Sequence, residues 1–144
     1  MDRNLPNNQG RLAVVSGSVP AAGNSPSLTQ PVGCRWRVLG LQTTLTTDAN
    51  VATRVPKAQI IPALGIGFEF PVNGGIALAL TRVISWGAGV NPPVVAGSTA
   101  ITGCIPAEAF LNGAATINLI TDNIQVGDQY TALSAWVEEW IEPA

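Results

Sequence analysis

The sequence contains no histidine and a single lysine, Lys57, and charged residues make up only 11% of its 144 positions. Without histidine, the chain lacks the commonest general base of enzymes and the commonest metal ligand. Its formal net charge of −2 also disfavours nucleic-acid binding, because contact with phosphates requires a basic surface. We therefore expect no metal or other cofactor, and no nucleic-acid partner.

The shortage of charge also bears on the surface of the protein. Ordinary globular chains carry about a quarter charged residues, whereas this chain has seven cationic and nine anionic side chains. So few charges cannot make the whole exterior of a single domain of this length polar. Large neutral or apolar areas usually mark contacts with other chains. The composition therefore predicts a protein that assembles with other protein subunits.

Signals for secretion and membrane insertion are also missing. Residues 1–19 lack the charged and then apolar segments of a secretory signal peptide. The longest weakly polar run, residues 65–86, is interrupted by Glu69, Pro71 and Arg82. It therefore does not supply the ~20 apolar residues of a membrane-spanning helix. We expect no membrane partner.

Two cysteines, Cys34 and Cys104, are present. We interpret them as buried thiols that act as small hydrophobic side chains, with a disulfide as the alternative. A metal site is disfavoured, because two thiolates without histidine or a C-x-x-C spacing leave half of a coordination shell empty.

Residues 1–31 differ in amino-acid composition from the rest of the chain. They are rich in proline, glycine, asparagine and serine, and only Leu12 to Val15 could form a short strand. We interpret this segment as an extended N-terminal arm that becomes ordered by lying over a neighbouring subunit; the alternative is a floppy tail.

From residue 32 onward the pattern is typical of β-structure. Cys34, Trp36 and Val38 alternate with Arg35 and Arg37, which predicts a strand with one apolar face and one charged face. About six to eight short strands separated by Gly, Pro and Asn turns predict an all-β domain over residues 32–144. We expect a β-sandwich or jelly-roll-like arrangement.

Three local features add detail. The sequence Asn73-Gly74-Gly75 is the strongest hairpin signal in the chain. Pro56 suggests that the strand around it lies at a sheet edge. In residues 130–141, the apolar side chains fit helical spacing, although a strand is also compatible with the alternation. Periodicity alone leaves this last segment open.

No nucleophile, metal-binding or phosphate-binding motif is present. Two carboxylate pairs, Glu138 with Glu139 and Asp122 with Asp128, are the only basis for a hydrolase. Because Glu138 and Glu139 are adjacent, they face opposite ways in a strand, and we interpret all four residues as turn-forming or solvated. We therefore expect a protein that is not an enzyme.

The aromatic and arginine residues allow two interpretations. The tryptophans could form a platform on which sugars stack, but they fill cores and subunit contacts more often. Arg35 and Arg37 could pair with Glu138 and Glu139, within one subunit or across a boundary. The tryptophans are Trp36, Trp86, Trp136 and Trp140.

Two stretches carry a resemblance to a known group of proteins. The segment CRWRVLGLQTTLTTDANVATRV and the closing segment GDQYTALSAWVEEWI resemble small structural proteins of tailed bacteriophages. The resemblance covers roughly residues 32 to 142 and leaves the arm outside it. It implies a capsid decoration (cement) protein, and it implies that the last segment is a strand.

The resemblance implies a protein on the exterior of the virion capsid, present in the host cytoplasm during assembly. Its partners would be the major capsid protein and further copies of itself, and we expect a homotrimer. For lateral contacts we select Leu5, Leu12, Val14 and Val15 in the arm. Trp136 and Trp140 are selected for subunit packing, and Arg35 and Arg37 for the interface. The alternatives are a tail or fibre-attachment protein and a glycan-binding adhesin module.

Overall fold

The computed structural model describes residues 10–62, 65, 67–91 and 99–141 of the chain. Over these residues the regular secondary structure consists of β-strands. In chain order they are β1 (Arg11–Ser16), β2 (Ser27–Thr29), β3 (Cys34–Thr46), β4 (Val55–Ile61), β5 (Phe68–Pro71), β6 (Thr81–Ala88), β7 (Ile101–Ile105), β8 (Phe110–Asn112), β9 (Thr116–Asp122), β10 (Gln129–Tyr130) and β11 (Ser134–Ile141).

The strands form two sheets. The large sheet has the order β1-β11-β3-β6-β7, and β8 and β10 also pair with the long strand β3. The small sheet has the order β2-β9-β4-β5. Every pairing is antiparallel except that of β6 with β7. The predicted all-β sandwich is confirmed.

Alternation along the strands builds the core between the sheets. In β3 the large apolar residues Trp36, Val38 and Leu45 are buried, and in β9 Ile117 and Leu119 are buried. These strands have a period of two, so their apolar residues fall on one face and meet the opposite sheet. Trp36 and Trp86 are each 1% exposed, which makes two of the four tryptophans core residues.

The described part of the predicted arm pairs with its own chain. β1 lies along β11, with Arg11 opposite Glu139 and Ser16 opposite Ser134. β2 lies along β9 in the small sheet. Residues 10–31 therefore contribute a strand to each sheet of the sandwich. The predicted domain boundary between residues 31 and 32 stays a prediction.

Two local predictions are wrong. The turn at Asn73 and Gly74 forms, with Gly74 at a φ of +119°, but β5 and β6 belong to different sheets. The turn therefore begins a crossover rather than a hairpin. Pro56 lies in β4, between β9 and β5. The pairing of β4 with β5 begins only at Lys57, which accommodates a residue without an amide hydrogen so close to the start of β4.

The last segment is a strand, as the resemblance implied. β11 lies between β1 and β3 and hydrogen-bonds to both. A β-bulge interrupts its pairing with β3: Trp136 faces Gly40, whereas Val137 faces Val38. Leu39 is the extra residue, and the shift preserves Val38 and Leu41 as core residues on either side of it.

Candidate interaction surface

One face of the large sheet points away from the small sheet, and we call it the outer face. Arg35 and Arg37 lie there because they alternate with the buried Trp36 and Val38 on β3. The register of β11 with β3 places Trp140 beside Arg35 and Glu138 beside Arg37 on the same face. The predicted division of β3 into an apolar and a charged face is therefore confirmed.

The edge strand β1 extends the outer face with apolar side chains. Val14 pairs with Trp136, and Leu12 pairs with Glu138. Val14 is 72% exposed, Leu12 is 61% exposed and Trp136 is 53% exposed. Side chains of this size and exposure next to one another are what a contact surface offers to another chain.

An apolar groove of about 500 Å³ crosses the outer face. Gly40 and Gly87 face each other across β3 and β6, and neither has a side chain to fill the space above the sheet. Trp136 stands opposite Gly40 and forms one wall, with Val14 beside it. The groove therefore has the size and lining to take an apolar side chain of a partner.

A second cavity, of about 480 Å³, lies on the same face, and we call it the arginine cleft. The Arg35 guanidinium carbon lies 4.9 Å from the centroid of the Trp140 ring, a cation–π contact. The Phe110 and Trp140 ring centroids are 6.3 Å apart. Arginine and tryptophan are the side chains most enriched at the centres of protein interfaces.

The ion pairs of the cleft have long N···O distances. Arg37 lies 3.7 Å from Glu138 and 3.9 Å from Glu108, and because Arg37 itself remains partly exposed, pairs at these distances contribute little to stability. Arg35 forms no ion pair with any described residue. The predicted pairing of the two arginines with the glutamates is thus realised by Arg37 with Glu138 alone.

Glu139 points to the opposite side of β11 from Glu138. The buried Trp36 donates its indole N–H to Glu139 Oε2 at 2.8 Å, and Arg11 Nη2 lies 2.7 Å from Oε1. The hydrogen bonds from Trp36 and Arg11 lower the pKa of Glu139 below its usual value, although partial burial opposes this. The two neighbouring carboxylates therefore do not face a common substrate position.

Most of the residues selected from the sequence lie on one surface. Five of them border its two cavities, and Leu12 lies next to them on β1. Val15 differs, because it pairs with Ala135 on the inner side and packs against the core. The structure thus separates Val15 from the surface. Leu5 lies outside the described residues. The five bordering residues are Val14, Arg35, Arg37, Trp136 and Trp140.

The buried Arg54 is the most highly connected polar side chain among the described residues, and it was not among the residues selected from the sequence. Its Nε and Nη2 each donate to one oxygen of Asp128 at 2.9 Å, and Nη2 also contacts Asp48. Nη1 donates to the carbonyl oxygens of Asn50 and Ala52. Arginine has five N–H donors, so this set of acceptors satisfies the whole guanidinium. We call these contacts the Arg54 network.

Asp128 completes the Arg54 network. It is fully buried, and it accepts hydrogen bonds from the Asp48 and Gln125 amides at 2.8 Å as well as from Arg54. Burial by itself would raise the pKa of Asp128, but these hydrogen bonds outweigh burial and lower the pKa below its ordinary value. The network fastens the turn after β3 to the turn before β10, so its role is structural.

The remaining candidates can be placed briefly. Cys104 is exposed and Cys34 is half-buried, and the structure has no disulfide between them. The prediction of two buried thiols is wrong for Cys104, while Cys34 packs against the core without being fully buried. Among the described residues, no group of three or more Cys, Asp or Glu side chains could hold a metal ion. Within the same residues, no helix is long and apolar enough to cross a membrane.

Comparison with known proteins yields weak similarities only. No family model matches the chain, and no match is found among curated proteins. Six solved chains align with it, and three of them illustrate the similarity. They are infectious bursal disease virus of the Gx strain (10% identity, TM-score 0.44, 95% of this chain and 35% of the other), PfGH50B (10%, 0.39, 93% and 23%) and infectious bursal disease virus of the Gt strain (14%, 0.40, 96% and 35%).

The neighbours thus include two viral structures, and this chain spans about a third or less of the length of each of these three chains. At these scores the alignments support no argument about function. The resemblance to tailed-phage decoration proteins is not supported by any sequence-family model.

Proposed function

We propose that this chain is a virion structural protein without catalytic activity, a decoration protein that binds the exterior of a bacteriophage head. It would contact neighbouring subunits of the major capsid protein as a homo-oligomer, after a period in the host cytoplasm during assembly. The main support is the outer face of the large sheet, where exposed apolar, aromatic and arginine side chains surround two cavities. The low charge of the sequence and its resemblance to phage structural proteins point the same way.

The mechanism is mechanical. Each copy would bury its outer face against the shell, and interfaces of standard size bury ~1,600 Å² in total. Trp136 would enter the shell surface beside the apolar groove, while Arg35 would meet a carboxylate of the partner. Several linked copies hold more tightly than one, so the shell would resist the outward pressure of the packaged DNA.

The proposal is tested by binding to expanded heads assembled from the major capsid protein of the same genome. Replacing Trp136 with serine is expected to weaken binding by about thirtyfold, because a central aromatic anchor contributes about 2 kcal/mol. Phe68→Ser is the matched control: Phe68 is 65% exposed but lies on β5 of the small sheet. Co-sedimentation with heads measures both variants.

Equal binding by the wild type and W136S, or no binding of the wild type to heads, would contradict the proposal. A glycan-binding module is the second candidate, favoured by the exposed Trp136 beside a groove. A tryptophan fluorescence shift with sugars that W136S lacks, together with no binding to heads, would establish that candidate instead.

A further inference from the structure

Among the described strands, β1 has a neighbour on one side alone. It lies at the edge of the large sheet and pairs with β11. The other edge strands are shorter: β2 has three residues, β5 has four and ends at Pro71, and β7 has five. The edge of β7 is also partly occupied, because the Asn73 amide donates to the Thr102 carbonyl. β1 has six residues and no proline. An uncovered apolar edge of this kind is a template for another strand.

The hydrogen-bonding pattern shows which groups of β1 are available. Gly17 donates its amide to the Leu133 carbonyl at 3.0 Å, in the register that places Ser16 opposite Ser134. Because hydrogen-bonded residues alternate along an antiparallel pair, the odd-numbered residues of β1 turn their backbone groups toward β11. The even-numbered residues direct their backbone N–H and C=O groups away from β11, toward the unpaired edge of the sheet; we call these groups outward. In the described part of the chain, no other strand pairs with that side.

We propose that β1 pairs antiparallel with β1 of a second copy of this chain, with Val14 facing Val14 across a two-fold axis. The three residues with outward backbone groups then pair only with one another: Val14 with Val14, and Leu12 with Ser16 in both directions. Each pair exchanges two hydrogen bonds. The two large sheets become one continuous sheet across the axis.

Alternative registers use fewer of these groups. Centring the axis on Ala13 would match Ser16 with Gly10, but the Gly10 amide already donates to Glu138 Oε1 at 2.9 Å. A shift by a single residue would match outward groups with inward ones, because the alternation has a period of two. The axis through Val14 is the register that pairs all three residues with one another, without a residue from outside β1.

Side chains and charge agree with this register. The outer face gains a Val14–Val14 contact between the two Trp136 side chains, so the apolar grooves of the two copies adjoin. Arg11 is the only charged residue of β1, and the register places it opposite Gly17. The two Arg11 side chains then lie at opposite ends of the new pair, and no like charges face each other.

An edge that pairs with itself closes at two copies. The inference therefore replaces the expected homotrimer with a dimer, and it extends the proposed function by placing two outer faces side by side in one assembly. It does not depend on what those faces bind.

The test is the mass of the purified full chain in solution, measured by light scattering over a range of concentrations. We expect twice the chain mass of 14.9 kDa. Val14→Pro removes an outward amide without touching the pairing with β11 and is expected to weaken the dimer by about tenfold or more. Val15→Pro is the control, because it removes an inward amide and lowers the unfolding midpoint instead.

A charge exchange makes the assignment of the axis specific. Val14→Lys and Val14→Glu should each be monomeric, since like charges would face each other across the axis, and an equimolar mixture should form a dimer. A monomeric wild type at high concentration, or an oligomer unaffected by V14P and by the charged variants, would overturn the inference. Binding of a monomer to heads would overturn this inference and the proposed homo-oligomer but leave the proposed binding to the head standing. A dimer that does not bind heads would overturn the proposed function and leave this inference standing.

Discussion

At the scale of single residues, the Arg54 network is the clearest example of a polar group held inside an apolar fold. An isolated buried charge is very costly, and here each donor of Arg54 meets an acceptor. Asp128 supplies the balancing charge and also caps the turn that contains Gln125. Removing one member leaves the others buried without partners, so the network is sensitive to small changes.

We expect Asp128→Asn to lower the free energy of unfolding by about 3 kcal/mol, because breaking a buried ion pair leaves an uncompensated charge. Urea unfolding followed by tryptophan fluorescence measures the change. Asp122→Asn is the matched control, since Asp122 pairs with Lys57 at 2.9 Å on the surface and exposed pairs contribute little. Equal losses in both variants would refute the importance of the Arg54 network.

At the scale of elements, the parallel pair of β6 and β7 depends on one close approach. Gly103 of β7 faces Trp86 of β6, and the indole N–H of Trp86 donates to the Phe70 carbonyl at 2.9 Å. A Cβ on residue 103 would lie 2.5 Å from Trp86 Cδ1 and 3.1 Å from the Pro71 carbonyl oxygen. Gly103 thus allows β7 to reach both sheets.

Gly103→Ala is therefore expected to destabilise the protein by about 2 kcal/mol, because the added Cβ would force the buried Trp86 or the backbone of β7 to shift. The adjacent Thr102→Ala serves as the control and should change stability by less than about 0.5 kcal/mol. Differential scanning calorimetry reports both. A G103A protein as stable as the wild type would show that β7 can shift away from Trp86 without cost.

At the scale of the whole molecule, stability has a simple dependence on pH because the sequence has no histidine. Asp128 and Glu139 have lowered pKa values in the fold, so their contributions are present above the unfolded values of about 4. They are lost as the pH falls through the folded pKa values. Burial raises the pKa of Tyr130 to about 12, so its contribution is lost only as the pH rises from about 10 toward 12.

We therefore expect a flat stability plateau between about pH 5 and pH 9, with a fall below about pH 4. Urea midpoints measured across this range test the expectation. In D128N the acid fall should be smaller, since one of the two carboxylates responsible is gone. A steep change near pH 6.5 would contradict the assignment of these groups.

Features that depend on neighbouring residues could be predicted from the sequence, whereas contacts between residues far apart in the chain could not. Trp36 and Arg35 lie on opposite faces of β3, and the local alternation of apolar and charged residues predicted this correctly. Arg54 and Asp128 are 74 positions apart, and neither position has a pattern that identifies the other as its partner. The signal at Asn73 and Gly74 specifies a turn, but not the sheet to which the next strand belongs. Val14 and Val15 differ by one position, and only the register of β1 decides which of them faces outward.

The pairing of the first strand with the last has one more consequence. Arg11 lies directly opposite Glu139, so the path of the chain through the sandwich returns to where it started. A circularly permuted gene, joined between β11 and β1 by a short linker and opened at the Gly113–Ala114 turn between β8 and β9, would retain every strand pair. It would move both termini next to Asn112, which borders the arginine cleft, so a displayed peptide or enzyme would be attached at the rim of the outer face.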